Sequence, residues 1–311
     1  MKYIVTGGAG FVGSHVVDAL IARGDEVHIV DDLSSGKRDH INRDATFHEM
    51  DLSDIEGLKK VFEGADGVFH LAAQARMQYS IAEPLLTHHS NTTGTLHVLL
   101  AARDCGVRRV VYSASSSAYG AKDVMPVTED MEASPIIPYA VMKFVGEKYC
   151  AMMPEFYDLE TVSLRYFNVY GPRQTTDMDG AYATVIGIFC GKAEKGLKMP
   201  IVGDGLQRRD FTNVKDVVRA NLLAMSSDNV GRGEILNIGT GVSYEIKKVA
   251  EMIGGEIEFM PKRPGEVFEV RADNSKAKGL IGWEPEVTFE QGIEELKVLH
   301  GLREKLVALS S

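Results

Sequence analysis

The chain has 311 residues, 44% hydrophobic and 25% charged, with a formal net charge of −10. That is the composition of a globular protein with core enough for one large α/β body or two intimate domains, and its acidity argues against nucleic acid as the main partner. No apolar run approaches the roughly 20 residues of a membrane span, so no membrane partner is expected. Cys105, Cys150 and Cys190 are scattered without a CxxC pair, which suggests a reducing cytoplasm and no structural zinc. The start already reads as a strand, so no signal peptide is expected. An anionic substrate remains open if cationic side chains converge on it.

Lys2-Tyr3-Ile4-Val5-Thr6 is a short β-branched run that breaks at once into Gly7-Gly8-Ala9-Gly10-Phe11-Val12-Gly13. A helical pattern (Val12, Val16, Val17, Leu20) runs on to Arg23-Gly24, and a second strand from Glu26 to Val30 ends on Asp31-Asp32. Strand, turn, helix, strand and terminal acid in this order make a dinucleotide-binding βαβ unit. Glycines at 7, 10 and 13 allow the tight turn, the approach of backbone to a pyrophosphate and close helix–strand packing. The helix N-terminus adds unpaired N–H groups and a positive dipole end. Asp31 is placed to accept hydrogen bonds from both adenosine ribose hydroxyls and would repel a 2′-phosphate, so NAD rather than NADP is the expected cofactor.

Leu33-Ser34-Ser35-Gly36-Lys37 reads as a polar loop near the adenosine. Thr46 to Met50 is a third strand ending on Asp51-Leu52, and Ser53-Asp54 can cap the short helix through Phe62. Asp51 could bond the adenine amino group or serve as an acidic cap. Gly67 to His70 is a fourth strand running into Leu71-Ala72-Ala73, small enough to let backbone approach the cofactor; His70 reads as a packed strand-end residue rather than a ligand. Pro84 to Cys105 reads as a long helix carrying His88, His89 and Asn91. Adjacent histidines point about 100° apart, so no metal site is expected there. A fifth strand, Val107 to Ser113, delivers Ser115-Ser116-Ser117-Ala118-Tyr119-Gly120. Pro135 and Pro138 set up a helix with Tyr139 in its first turn and Lys143 in the next, and Thr161 to Tyr166 is a sixth strand.

This alternation indicates an α/β fold, a doubly wound parallel sheet of Rossmann type. Beyond Asn168 loops lengthen and glycine, proline and arginine become frequent. We expect an NAD-binding domain over 1–167 and a second, smaller α/β substrate domain over 168–311, some segments interleaved, with the ligand in the cleft between them.

Tyr139 and Lys143 lie four apart on one helix face. An ammonium beside a phenol, with a positive nicotinamide ring nearby, favours the phenolate. Bringing a phenol from about 10 to near neutrality requires roughly 3 pKa units, or about 4 kcal/mol. Such a tyrosine can take a proton from a substrate hydroxyl while the adjacent carbon gives hydride to NAD, with Ser115 against the same hydroxyl.

Taken together, Gly7-x-x-Gly10-x-x-Gly13, Ser115 with Tyr119-Gly120, Tyr139-x-x-x-Lys143 and Leu164-Arg165-Tyr166-Phe167-Asn168 resemble the extended short-chain dehydrogenase/reductase superfamily, and within it the UDP-glucose (UDP-galactose) 4-epimerase branch. The resemblance spans essentially the whole chain, including Gly205-x-Gln207-x-Arg209-Asp210-Phe211 and Arg263-Pro264-Gly265-Glu266. It implies Ser115, Tyr139 and Lys143 as the catalytic set. The implied NAD set is Gly7, Gly10, Phe11, Val12 and Gly13 at the turn and Asp31, Asp32, Ser35 and Gly36 at the adenosine. Asp51, Leu52, Leu71, Ala72, Ala73, Asn91, Tyr139, Lys143 and Tyr166 complete it. Ser115, Tyr139, Asn168, Arg209, Phe211, Arg263, Glu266 and Val270 would hold a UDP-hexose, two arginine forks suiting its diphosphate.

Related 4,6-dehydratases carry an Asp-Glu or Ser-Glu pair where this chain has Ser116-Ser117, which points to an epimerase. The implied reaction is redox-neutral: Tyr139 removes the 4-OH proton, C4 gives hydride to NAD, the 4-keto sugar swings round its diphosphate, and hydride returns to the other face. Two other classes stay open, a net nucleotide-sugar oxidoreductase and a non-catalytic NAD-sensing protein on the same fold. The helices Pro84–Cys105 and Tyr139–Met153, with apolar Met142, Val145, Tyr149 and Met152, lead us to expect a homodimer, and the resemblance implies a four-helix interface. It also implies that Val270, where a tyrosine would narrow the pocket, leaves room for an N-acetyl group at the sugar's C2.

Overall fold

The structure, a computed structural model, describes residues 1–75, 77–176, 184–262 and 267–302. The N-terminal half runs β1 (Lys2–Thr6), α1 (Phe11–Ala22), β2 (Glu26–Asp31), β3 (Thr46–Glu49), α2 (Ile55–Phe62), β4 (Gly67–His70), α3 (Met77–Ala82), α4 (Pro84–His88), α5 (Gly94–Asp104), β5 (Arg109–Ser115), α6 (Pro138–Tyr157) and β6 (Glu160–Tyr166). A π-helical turn over His89–Thr93 joins α4 to α5, so the expected helix from Pro84 is continuous but locally underwound. The remainder contributes β7 (Val169–Tyr170), α7 (Val185–Glu194), β8 (Met199–Val202), β9 (Arg208–Asp210), β10 (Thr212–Asn213), α8 (Val214–Ser226), β11 (Arg232–Ile238), β12 (Ser243–Glu245), α9 (Ile246–Ile253), β13 (Ile257–Met260), β14 (Glu269–Val270), α10 (Ser275–Ile281) and α11 (Phe289–Leu299).

Seven strands form one sheet in the order β11-β6-β5-β4-β1-β2-β3, all parallel. The chain winds outward through β1, β2 and β3, then returns to the far side of β1 with β4. That reversal opens a crevice at the carboxyl ends of β1 and β4, where ligands of doubly wound sheets bind. The sequence reading stops at six strands; the seventh, β11, comes from the C-terminal half and pairs with β6.

A parallel sheet covered on both faces needs apolar residues on both, and the strands supply them alternately. Ile4, Val30, Val68, Val110 and Tyr112 pack under Leu58 and Phe62 of α2, Val98 and Leu99 of α5 and Cys150 and Met153 of α6. Tyr3, Val5, Ile29, Phe69, Val111 and Leu164 pack on the opposite face against Val16, Val17 and Leu20 of α1 and Val217 and Ala224 of α8. Each such fully buried side chain contributes about 1.5–3 kcal/mol. A second core, built from Phe189, Ile201, Phe211, Val249, Ile253, Phe289 and Leu296, supports the short sheets β13-β8 and β12-β9-β14.

Two buried arginines tie elements together. Arg109 caps the C-terminal end of α8, donating to the carbonyls of Ala224, Met225, Ser227 and Val230, where a cation also meets the negative end of the helix dipole. Arg165 of β6 pairs through Nε and Nη2 with Glu147 of α6 at 2.9 and 2.7 Å. Of the four α6 residues expected to leave apolar surface, Met142 is instead buried at 7% exposure, at the base of the groove where α4, the π-turn and α5 pack against α6. Val141, Met152, Phe156 and Tyr157 are the exposed large hydrophobic residues of α6. No helix among the described residues is long and apolar enough to cross a membrane.

Candidate active site

A cleft of about 1470 Å³ runs over the carboxyl ends of the strands. Its floor begins at the glycine turn. Gly7 has φ +72°, and a Cβ there would lie 2.6 Å from the Ala72 nitrogen. A Cβ on Gly13 would lie 2.1 Å from the Gly7 carbonyl oxygen. Both positions therefore require glycine, one for the turn and one for the seating of α1 against it. No side chain caps the start of α1, and its first turn, with Phe11 and Val12, carries no acid. Its positive end faces the cleft uncompensated.

Asp31 terminates β2 almost fully buried and accepts from the Ala9 N–H at 3.0 Å and the Leu33 N–H at 2.8 Å. Burial pushes its carboxyl above the ordinary range against those two donors. A carboxylate offers about four acceptor sites, so acceptor capacity remains for a diol. Asp32 holds the next turn through Ser34 N–H and Oγ at 2.9 and 2.6 Å, and Ser35 lines the cleft beside it. Gly36 lies behind the wall: a Cβ there would meet Asp31 Oδ1 at 2.7 Å. Asp51 and Leu52 line the far end. Asp51 accepts from the Ser53 N–H at 2.7 Å while Asp54 caps α2. Burial of Asp51 is outweighed by its bonds with Ser53 and the nearby His89, leaving its carboxyl below the usual value.

The wall formed by Leu71, Ala72 and Ala73 is braced from behind. Asn91 was expected to touch the cofactor; the structure instead buries it and engages both ends of its amide with Gln74, Oδ1 accepting from the N–H at 2.7 Å and Nδ2 donating to the carbonyl at 3.0 Å. The π-turn is what aims Asn91 there. His70 is buried between Thr6 and Thr95 at 2.7 and 2.9 Å. The Thr95 hydroxyl donates to the Asn91 carbonyl, so His70 Nε2 carries the proton and Nδ1 accepts from Thr6. Burial, aided by the Lys143 charge, pushes His70 down to about 3, keeping it neutral. It is a structural strand-end residue.

The serine turn and α6 bring the reactive groups together. The Ser117 hydroxyl and N–H approach Ser115 Oγ at 2.8 and 3.2 Å. With both pointing in as donors, Ser115 keeps its own proton for the hydrogen bond it makes to Tyr139, which draws the phenol down. Lys143 is buried, donates to the Ser113 carbonyl at 2.8 Å and lies 4.9 Å over the Tyr112 ring. Burial pulls its ammonium down to about 8, opposed by Cys150 and Glu147. The expected lowering of the Tyr139 phenol by the Lys143 ammonium and a nicotinamide ring meets an opposing effect within the protein itself. Burial pushes Tyr139 above its ordinary value, and Ser115 is the group that works against it.

The sequence profile of the NAD dependent epimerase/dehydratase family matches residues 3–239. The chain belongs to that family. Among solved structures it is similar to a UDP-glucose 4-epimerase from Thermotoga maritima with UDP-glucose, at 40% identity over 98% of this chain and 100% of that one, with TM-score 0.92. A UDP-N-acetylglucosamine 4-epimerase from Methanobrevibacter ruminantium in complex with UDP-N-acetylmuramic acid is 37% identical, covering 97% and 98%, with TM-score 0.90. A Thermus thermophilus UDP-glucose 4-epimerase complex with NAD is 35% identical, covering 96% and 98%, with TM-score 0.88.

The residues present fit the cofactor of this epimerase/dehydratase family. The glycine cradle admits backbone contact, the start of α1 is uncapped, and Asp31 keeps acceptor capacity at the second strand end. Tyr166 lines the cleft, but its hydroxyl is bonded to Asn221 at 3.0 Å, so only the rest of the residue faces a ligand. On the other side Asn168, held at φ +29°, donates from Nδ2 to the Asp210 carbonyl at 2.8 Å. Arg209 lines the cleft with Nη1 on the Arg208 and Phe268 carbonyls at 2.8 and 3.2 Å. Phe211 is almost wholly buried and stacks on Phe289 at 5.3 Å, yet it is part of the cleft lining. Val270 lines the cleft on β14, paired in register with Arg209. Arg263 and Glu266 lie outside the described residues.

The sequence reading missed Gln74, Gln78, Ser113 and Ser117. Ser117 sits in the serine run and could have been read there. Ser113 acts through its carbonyl, and a backbone contact leaves no mark in side-chain pattern.

Proposed function

We propose that the protein interconverts the C4 epimers of a UDP-hexose, UDP-glucose and UDP-galactose, in a cleft that also holds NAD. The observation that carries this is the relay Ser117–Ser115–Tyr139 beside buried Lys143, with serines and no carboxylate where a dehydratase needs acids. Gly7, Gly10, Phe11, Val12 and Gly13 would hold the dinucleotide diphosphate, Asp31 the adenosine ribose, and Lys143 the nicotinamide ribose. NAD, when bound, supplies the acceptor and donor of hydride that makes the exchange redox-neutral, and its ring charge is the stabilisation that a buried phenolate needs.

Tyr139 Oη takes the proton of the sugar's 4-OH and returns it after the sugar has turned over. Once Tyr139 holds the sugar's proton, Ser115 can turn its own hydrogen bond from the phenol to the same sugar oxygen, now that of a transient 4-ketone. Arg209 and Asn168 anchor the diphosphate of UDP, so the hexose rotates about a fixed point and presents either face. The elements after Asn168 that share a core of their own, among them α7, β8, α9 and α11, form the part of the molecule that grips the nucleotide, while α8 and β11 belong to the seven-stranded sheet and its cover. The three cysteines are free, in keeping with a cytoplasmic enzyme.

Val270 is aliphatic at the cleft wall, and we assign it the side of the pocket next to the sugar's C2, leaving space for an N-acetyl group. We also assign a homodimer to the groove of about 280 Å³ between α6 and the α4–α5 helix, lined by Leu96, Val141, Val145 and Tyr149 and flanked by Leu85 and Met152, 83% and 45% exposed. Apolar area of this kind on a helix pair is covered economically by its own symmetric copy.

Tyr139→Phe should retain the fold and bound NAD while losing about 10²–10⁴-fold in kcat, read in a coupled assay of UDP-galactose turnover; near-parent turnover would overturn the role of the phenol. Val270→Tyr should depress kcat/KM for UDP-N-acetylglucosamine selectively over UDP-glucose, and equal losses on both would refute the pocket assignment. Light scattering at micromolar concentration should give twice the mass of the chain, and a monomer would refute the dimer.

A further inference from the structure

The helix that carries Tyr139 starts without a cap of its own. Ile137 is its N-cap residue and has no side-chain acceptor. Pro138, the first helical residue, has no N–H, and the Val141 N–H already bonds the Ile137 carbonyl. The Tyr139 N–H is therefore one of the orphan donors that a helix start must satisfy from outside.

It is met by a different element. Ser80 of α3 accepts the Tyr139 N–H on Oγ at 3.1 Å. The Ser80 side chain is fully buried, and its own proton goes to the Met77 carbonyl at 2.7 Å. With its proton committed, Ser80 presents only an acceptor to Tyr139, the polarity an N–H requires. The same short helix turns Met77, Gln78 and Ile81 to the cleft. One hydroxyl thus fixes the distance between a substrate-facing wall and the backbone of the proton acceptor.

We propose that Ser80 is a positioning residue for the reaction: it serves as a cross-element cap that sets the place of Tyr139 relative to the sugar. This rests on the reading of Tyr139 as the proton acceptor. The energy at stake is that of one buried N–H left unmet, and the consequence is geometric, since displacement of a reacting group by about 1 Å can cost about 10²-fold in rate.

The test compares Ser80→Ala, which removes the acceptor, with Ser80→Thr, which keeps it, both purified with their bound NAD. Ser80→Ala should melt near the parent temperature and retain NAD, with kcat reduced about 10-fold or more, KM for UDP-galactose changed less than about 3-fold, and the acidic limb of the kcat–pH profile displaced. Ser80→Thr should recover most of the kcat and the parent pH limb. Parent kcat and pH profile in Ser80→Ala would overturn the proposal. So would a loss of melting temperature, bound NAD and kcat together in both variants, the mark of a merely structural residue. Tyr139→Phe in the same series separates the two readings: if it is active, the tyrosine assignment fails, whereas an inactive Tyr139→Phe beside a fully active Ser80→Ala refutes Ser80 alone.

Discussion

The catalytic centre depends on how α6 is fastened to the sheet, and the fastening is a buried ion pair. Tyr139, Lys143 and Glu147 succeed one another at four-residue intervals on the face of α6 that meets β5 and β6. Glu147 and Arg165 have side chains 0% and 2% exposed and share a two-point hydrogen bond, while the Tyr119 ring lies 4.5 Å from the guanidinium. Breaking such a pair from one side typically costs 3–5 kcal/mol, because the charge left behind has no water. The pair therefore holds register more than it adds stability. Gly146 serves the same fit, since a Cβ there would meet the Tyr112 hydroxyl oxygen at 2.3 Å. With α6 held this way, Lys143 reaches the Ser113 carbonyl and Tyr139 reaches Ser115.

The electrostatics follow from that burial. Desolvation alone moves Lys143 and Tyr139 in opposite directions, the ammonium down and the phenol up. Both shifts disfavour the charged forms, so the pair is held back from a resting ion pair. Glu147 beneath Lys143 keeps the ammonium from losing its proton more readily, and the serine relay gives the phenolate a donor when it forms. The phenolate that takes the 4-OH proton would thus form only beside a positive ring, and the same oxygen can return that proton afterwards.

Much of this was legible in the sequence where the chemistry is local. The glycine turn with Asp31, the alternating strands and the Tyr139–Lys143 spacing are encoded within single elements, and the structure places each of these residues on the cleft. What escaped was what depends on contacts between distant segments. Asn91 looked like a ligand residue until the π-turn pointed it at Gln74. β11 lay far from the other six strands, behind glycines that mask its alternation. The direction of the Tyr139 shift needed burial, which no spacing reports, and the cap on its N–H comes from a serine on another helix.

The central claim is that the hydrogen at the sugar's C4 leaves and returns within the cleft without meeting solvent. UDP-glucose deuterated at C4, incubated with the protein in ordinary water and analysed by mass spectrometry, tests it most directly. The account predicts UDP-galactose with the deuterium retained at C4 and no accumulation of NADH. Washout of the deuterium into solvent would contradict it.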